Sequence, residues 1–79
     1  MNTVQEQWES FASLVIPKNA PPVQRQEMRR AFYAGAEAMM RIQWAIGGEG
    51  ISEQAGIQIL EGCSDELKRF AQQVAQGRA

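Results

Sequence analysis

Histidine is absent from this chain of 79 residues, and Cys63 is the only cysteine. With no histidine there is no ready general base near neutral pH. The few serines and threonines therefore lack a partner for nucleophilic catalysis. One cysteine cannot close a disulfide within the chain, nor build a zinc site. Carboxylates do not cluster at metal-ligand spacing. Basic residues are not in excess: eight Lys and Arg face nine Asp and Glu, a net charge of -1. That balance disfavours duplex DNA, whose binders carry a strong basic surplus. No apolar run reaches the ~18 residues of a membrane span. The start, Met1-Asn2-Thr3-Val4-Gln5-Glu6, lacks the basic residues and apolar core of a signal peptide. These absences predict a soluble cytosolic protein that is not an enzyme and needs no cofactor.

What is present is helical pattern. Val4, Trp8, Phe11 and Val15 form one stripe, widened by Leu14, and predict a first helix over 4–15. Thr3 and Glu6 have the spacing of a capping box at its start. Pro17 ends it. Pro22 suits the first turn of a second helix, over 22–46, stopped by Gly47 and Gly48, one of them left-handed. Ser52 caps a third helix, over 53–76, which stays in phase across Gly62 and ends before Gly77. Its stripe is Gly56, Leu60, Cys63, Leu67, Phe70 and Val74, in strict alternation of four and three. Helix 2 repeats that rhythm at Met28, Phe32, Gly35, Met39, Ile42 and Ile46. The two should pair as an antiparallel hairpin, with helix 1 across its open side. The expected fold class is all-α, a small helical hairpin with an N-terminal helix.

Helix 2 has more apolar surface than such a fold can cover. Tyr33, Ala36, Met40 and Trp44 make a second stripe, and Ala31, Ala34, Ala38 and Ala45 a third. A helix apolar on most sides must be surrounded. A chain this short is marginal alone and cannot supply the neighbours. Small residues four apart, Ala31 with Gly35 and Ala34 with Ala38, let helix backbones approach closely. The chain is therefore expected to form a homodimer or higher oligomer. Its predicted interface is Ala31, Ala34, Gly35, Ala38, Met40 and Trp44.

The one chemical signal is Arg25, Arg29 and Arg30 at the start of helix 2. That end already carries the positive pole of the helix dipole, so three cations there are locally unfavourable and favour an anion. Arg30, Glu37 and Arg41 share a side, flanked by Tyr33 and Trp44. Guanidinium groups grip phosphate bidentately, and an aromatic ring stacks on a base. The candidate ligand site is thus Arg25, Arg29, Arg30, Tyr33, Glu37, Arg41 and Trp44. The alternative reading of the same residues is a structural ion-pair strip beside core aromatics. Gly47-Gly48-Glu49-Gly50 is a turn, since no strand precedes it and no Lys-Ser/Thr follows.

The run Ile16-Pro17-Lys18-Asn19-Ala20-Pro21-Pro22-Val23-Gln24-Arg25-Gln26-Glu27-Met28-Arg29-Arg30-Ala31-Phe32-Tyr33-Ala34-Gly35-Ala36 resembles that of short uncharacterised proteins encoded by tailed phages and prophages. The resemblance implies a phage origin, residence in the host cytosol, and an accessory role against host or defence machinery. Two functions follow. The first is a homo-oligomer that sequesters an anionic, nucleotide-like small molecule. The second is a protein–protein inhibitor or adaptor acting on a host or defence protein. Its contact would be Gln5, Glu6 and Glu9 of helix 1, or Glu61, Asp65, Lys68 and Gln72 of helix 3.

Overall fold

A computed structural model describes residues 2–79. It is all-helical: α1 (Val4–Val15), α2 (Pro22–Ile46) and α3 (Glu53–Ala75), with no strand among the described residues. The chain divides into two compact units, Met1–Ile42 and Gln43–Ala79. The last turn of α2 belongs to the second.

In the first unit the boundaries follow from local chemistry. The Thr3 hydroxyl accepts from the Glu6 amide at 3.1 Å, and Glu6 Oε1 accepts from the Thr3 amide at 3.2 Å. This reciprocal pair satisfies two amides that a helix start leaves free. At the other end Ile16 is extended, as the residue before a proline must be. Pro21 gives its carbonyl to the Arg25 amide at 3.2 Å, and Pro22 opens α2 where a missing N–H costs nothing.

The buried row of α1 is not the expected one. Trp8, Ala12 and Ile16 are buried, with Phe11 half-buried beside them. Val4 and Val15 are exposed, and Leu14 is 83% exposed. Trp8, Ala12 and Ile16 stand four apart in one file. That file gains a third member because Ile16, just past the helix end, still points inward. Phe32 seats its ring against Trp8 (centroids 5.6 Å) and Phe11 (5.4 Å). Met28 and Tyr33 also pack on this cluster. Two members of the α2 stripe allotted to α3, Met28 and Phe32, thus serve α1.

In the second unit the Ser52 hydroxyl caps α3, accepting from Ala55 N at 3.1 Å. The helix runs unbroken through Gly62 and ends at Ala75, one residue earlier than expected. Gly77 (φ 73°) closes it: Gly77 N donates to Val74 O and Arg78 N to Gln73 O. This paired 5→2 and 6→1 arrangement needs a left-handed residue, hence glycine. At the end of α2 the left-handed glycine is Gly50 (φ 83°), not Gly47 or Gly48. Gly47 N still bonds Gln43 O, and Gly48 N reaches Ala45 O in a tightened last turn. The sharp reversal is thereby deferred to Gly50.

Gly56 is buried because the Ile46 side chain lies over it. A Cβ built at Gly56 would fall 2.5 Å from Ile46 Cγ2. Beyond that contact the α3 stripe is open: Cys63 is half-buried, while Leu60, Leu67, Phe70 and Val74 are all exposed.

Candidate functional site

The first turn of α2 contains no acidic residue, so the positive pole of the helix is left uncompensated there. Arg25, Arg29 and Arg30 follow within nine residues of the helix start, against Glu27 alone. Each arginine has a different neighbour. The Arg25 guanidinium sits over the Trp8 ring, 5.8 Å from its centroid. Arg29 lies over Tyr33, one turn on, at 5.0 Å. Arg30 Nη1 stands 3.6 Å from Glu27 Oε1, with both side chains about two-thirds exposed. A pair that long and that exposed is worth little and is easily exchanged for a better anion. Further along, Arg41 Nη2 donates to Glu37 Oε1 at 2.6 Å, the pair that the i, i+4 spacing predicts.

Two cavities meet these residues. A small one of about 120 Å³ lies among Arg29, Arg30 and Tyr33. A larger one of about 470 Å³ is an open groove lined by Val4 from α1 and by Arg30, Tyr33, Ala34, Ala36, Glu37 and Met40 from α2. Arg30 and Tyr33 wall both. The small cavity has two arginines in its wall, and guanidiniums are the groups that bind anions most strongly. The groove is chiefly apolar, with a few polar groups at its edge, and lies within the usual size of small-molecule sites.

The chain matches no protein-family model, no curated protein and no solved structure.

Geometry therefore carries the assignment. It brings together Arg29, Arg30, Tyr33 and Glu37, with Arg41 attached through its bond to Glu37. It sets one expected residue apart from them. Arg25 is held on Trp8. Trp44 is 66% exposed and belongs to the second unit. Of the residues expected at the interface, Ala34 and Met40 line the groove, and Ala31, Gly35 and Ala38 are exposed. A Cβ built at Gly35 would meet no described atom within 4 Å, so close backbone approach there would need another helix.

Val4 was missed by sequence reasoning, though a signal existed. Two helices joined by a short connection run back along each other, and the first residue of α1 then falls level with the middle of α2. Elsewhere, no group of three His, Cys, Asp or Glu is placed to hold a metal ion among the described residues. No described helix is long and apolar enough to cross a membrane.

Proposed function

We propose that this is a non-catalytic binding protein that self-associates and withholds an anionic, nucleotide-like small molecule, as a phage accessory protein directed against host defence. One observation carries the ligand class: an anion-sized cavity between two arginines shares Arg30 and Tyr33 with an apolar groove large enough for a base. A phosphate in the first would exchange the exposed Glu27–Arg30 contact for bidentate bonds. The base would then lie along the groove against Tyr33. Glu37 at the groove edge is engaged by Arg41, which lowers its repulsion of a nearby anion.

Calorimetry with nucleoside 5′-monophosphates and diphosphates tests this. Arg30→Ala should weaken binding by about 10- to 100-fold, the loss of one charge-assisted contact. The sedimentation of the protein should not change. Equal affinity in wild type and variant would remove Arg30 from the site.

The second reading, an inhibitor or adaptor on a host or defence protein, draws on the exposed polar face of α3 at Glu61, Asp65, Lys68 and Gln72. No heat with any nucleotide, together with a host protein retained on the immobilised chain, would favour it.

A further inference from the structure

We infer that the groove selects a guanine base, with the Glu37 carboxylate accepting from the base's N1–H and 2-amino group. The inference rests on the nucleotide reading above and names the base that reading leaves open.

Arg30, Tyr33 and Glu37 stand at i, i+3 and i+7 on α2, on one side of the helix. All three line the groove, and Arg30 and Tyr33 also wall the small cavity together with Arg29. Along this file the chemistry changes in order: cations, then a ring, then a carboxylate. The Arg29 guanidinium lies over the Tyr33 ring, 5.0 Å from its centroid, and so joins the cationic end to the aromatic wall. A nucleoside monophosphate has its parts in the same order, an anion at one end and the base edge at the other. Its phosphate belongs at the arginines, because a carboxylate repels it. The base edge is then directed toward Glu37. Seven residues separate Arg30 from Glu37, about 10 Å along the axis. That is about one Debye length at 0.1 M salt, so Glu37 opposes the phosphate only weakly.

Hydrogen-bond polarity selects the base. An ionised carboxylate accepts and cannot donate, so it favours an edge that presents two donors side by side. Guanine has N1–H next to its 2-amino group. Adenine and cytosine set their amino group beside a bare ring nitrogen, whose lone pair would face the carboxylate. Uracil has one N–H between two carbonyls, and hypoxanthine keeps N1–H but lacks the amino group. Of these bases guanine is the one whose donors match both carboxylate oxygens. Glu37 has the acceptors to meet it. Arg41 Nη2 donates to Oε1 at 2.6 Å, which uses one of about four lone pairs and holds the carboxylate in place. No described residue bonds Oε2. The Glu37 side chain is 60% exposed, so a base in the groove can reach it.

The test uses the full chain. Affinities for GMP, IMP and AMP are measured by calorimetry on wild type, Glu37→Gln and Arg30→Ala. Wild type should hold GMP about 10- to 100-fold more tightly than AMP, with IMP between them. Glu37→Gln should erase that preference, since its amide replaces one acceptor with a donor. Its helix content by circular dichroism should hold, because Glu37 is exposed. Arg30→Ala should weaken all three nucleotides alike and keep their order, because it acts on the phosphate end. Two results would overturn the guanine assignment and leave the nucleotide reading standing. One is a wild type that binds AMP as tightly as GMP, or more tightly. The other is a GMP preference that survives in Glu37→Gln, which would give the discrimination to another group. A wild type that binds none of the three would remove the nucleotide reading itself, and the guanine assignment with it.

Discussion

Trp8→Ala is expected to detach α1 and melt the first unit. Trp8 is 4% exposed and touches Phe11 (6.0 Å) and Phe32 (5.6 Å), while Arg25 covers its ring. Deleting a buried tryptophan costs about 3–5 kcal/mol, from lost transfer energy and the cavity left behind. A chain of 79 residues holds roughly 4–12 kcal/mol in all. Among the described residues the buried apolar side chains are Trp8, Ala12 and Ile16, which form a single cluster. Urea unfolding followed by circular dichroism should show the midpoint fall to near zero denaturant. Trp8→Phe should keep most of the stability, since a ring still fills the site. Fluorescence gives an independent readout. Trp8 emits from a buried site and Trp44 from an exposed one, so removal of Trp8 should leave a red-shifted spectrum. An unchanged midpoint in Trp8→Ala would mean that the Trp8 cluster is not what holds α1.

Helix limits were legible because they are written in local chemistry. Thr3 with Glu6, Ile16 before Pro17, Pro22 and Ser52 each act within four residues of themselves, and the structure uses all of them. The inward face of α1 was not legible in the same way. Seven of its positions between Val4 and Ile16 are apolar and cover a wide arc. Spacing alone cannot say which file a partner will cover, and the choice fell to Trp8, Ala12 and Ile16 through contact with Phe32 and Met28. On α3 the pattern announced a stripe meant for burial, and the stripe lies on one unbroken helix with Gly56 buried, Cys63 half-buried and Leu67 and Phe70 exposed.

The candidate site divides along the same line. Arg29 and Tyr33 are four apart on one helix, so their contact follows from the helical repeat. Glu37 and Arg41 meet for the same reason. Arg25 and Val4 depend on how α1 lies against α2. The sequence placed Arg25 with the other arginines, whereas packing put it on Trp8. Val4 entered the groove by the same packing.

Gly56→Val tests the tightest contact in the second unit, and the expected outcome is a loss of about 2 kcal/mol. Helix propensity alone would predict a small gain, since glycine is the poorest residue in a helix interior after proline. Packing opposes it. The first carbon added at Gly56 falls 2.5 Å from Ile46 Cγ2, closer than real Cβ atoms approach a neighbour. That methyl is one bond from the backbone-anchored Cβ of a β-branched residue. It is stiff at χ1 and cannot swing aside cheaply. Overpacking of this kind costs about 1–3 kcal/mol, more than the propensity gain. Ile46→Ala removes the obstructing carbons, and in the double variant the valine at position 56 refills the volume vacated at 46. The pair should therefore recover most of the loss, a coupling of about 1–2 kcal/mol in a double-mutant cycle. Thermal unfolding by circular dichroism measures all four corners. A Gly56→Val chain as stable as wild type, or a double variant showing the plain sum of the two losses, would mean that Ile46 does not seat on Gly56.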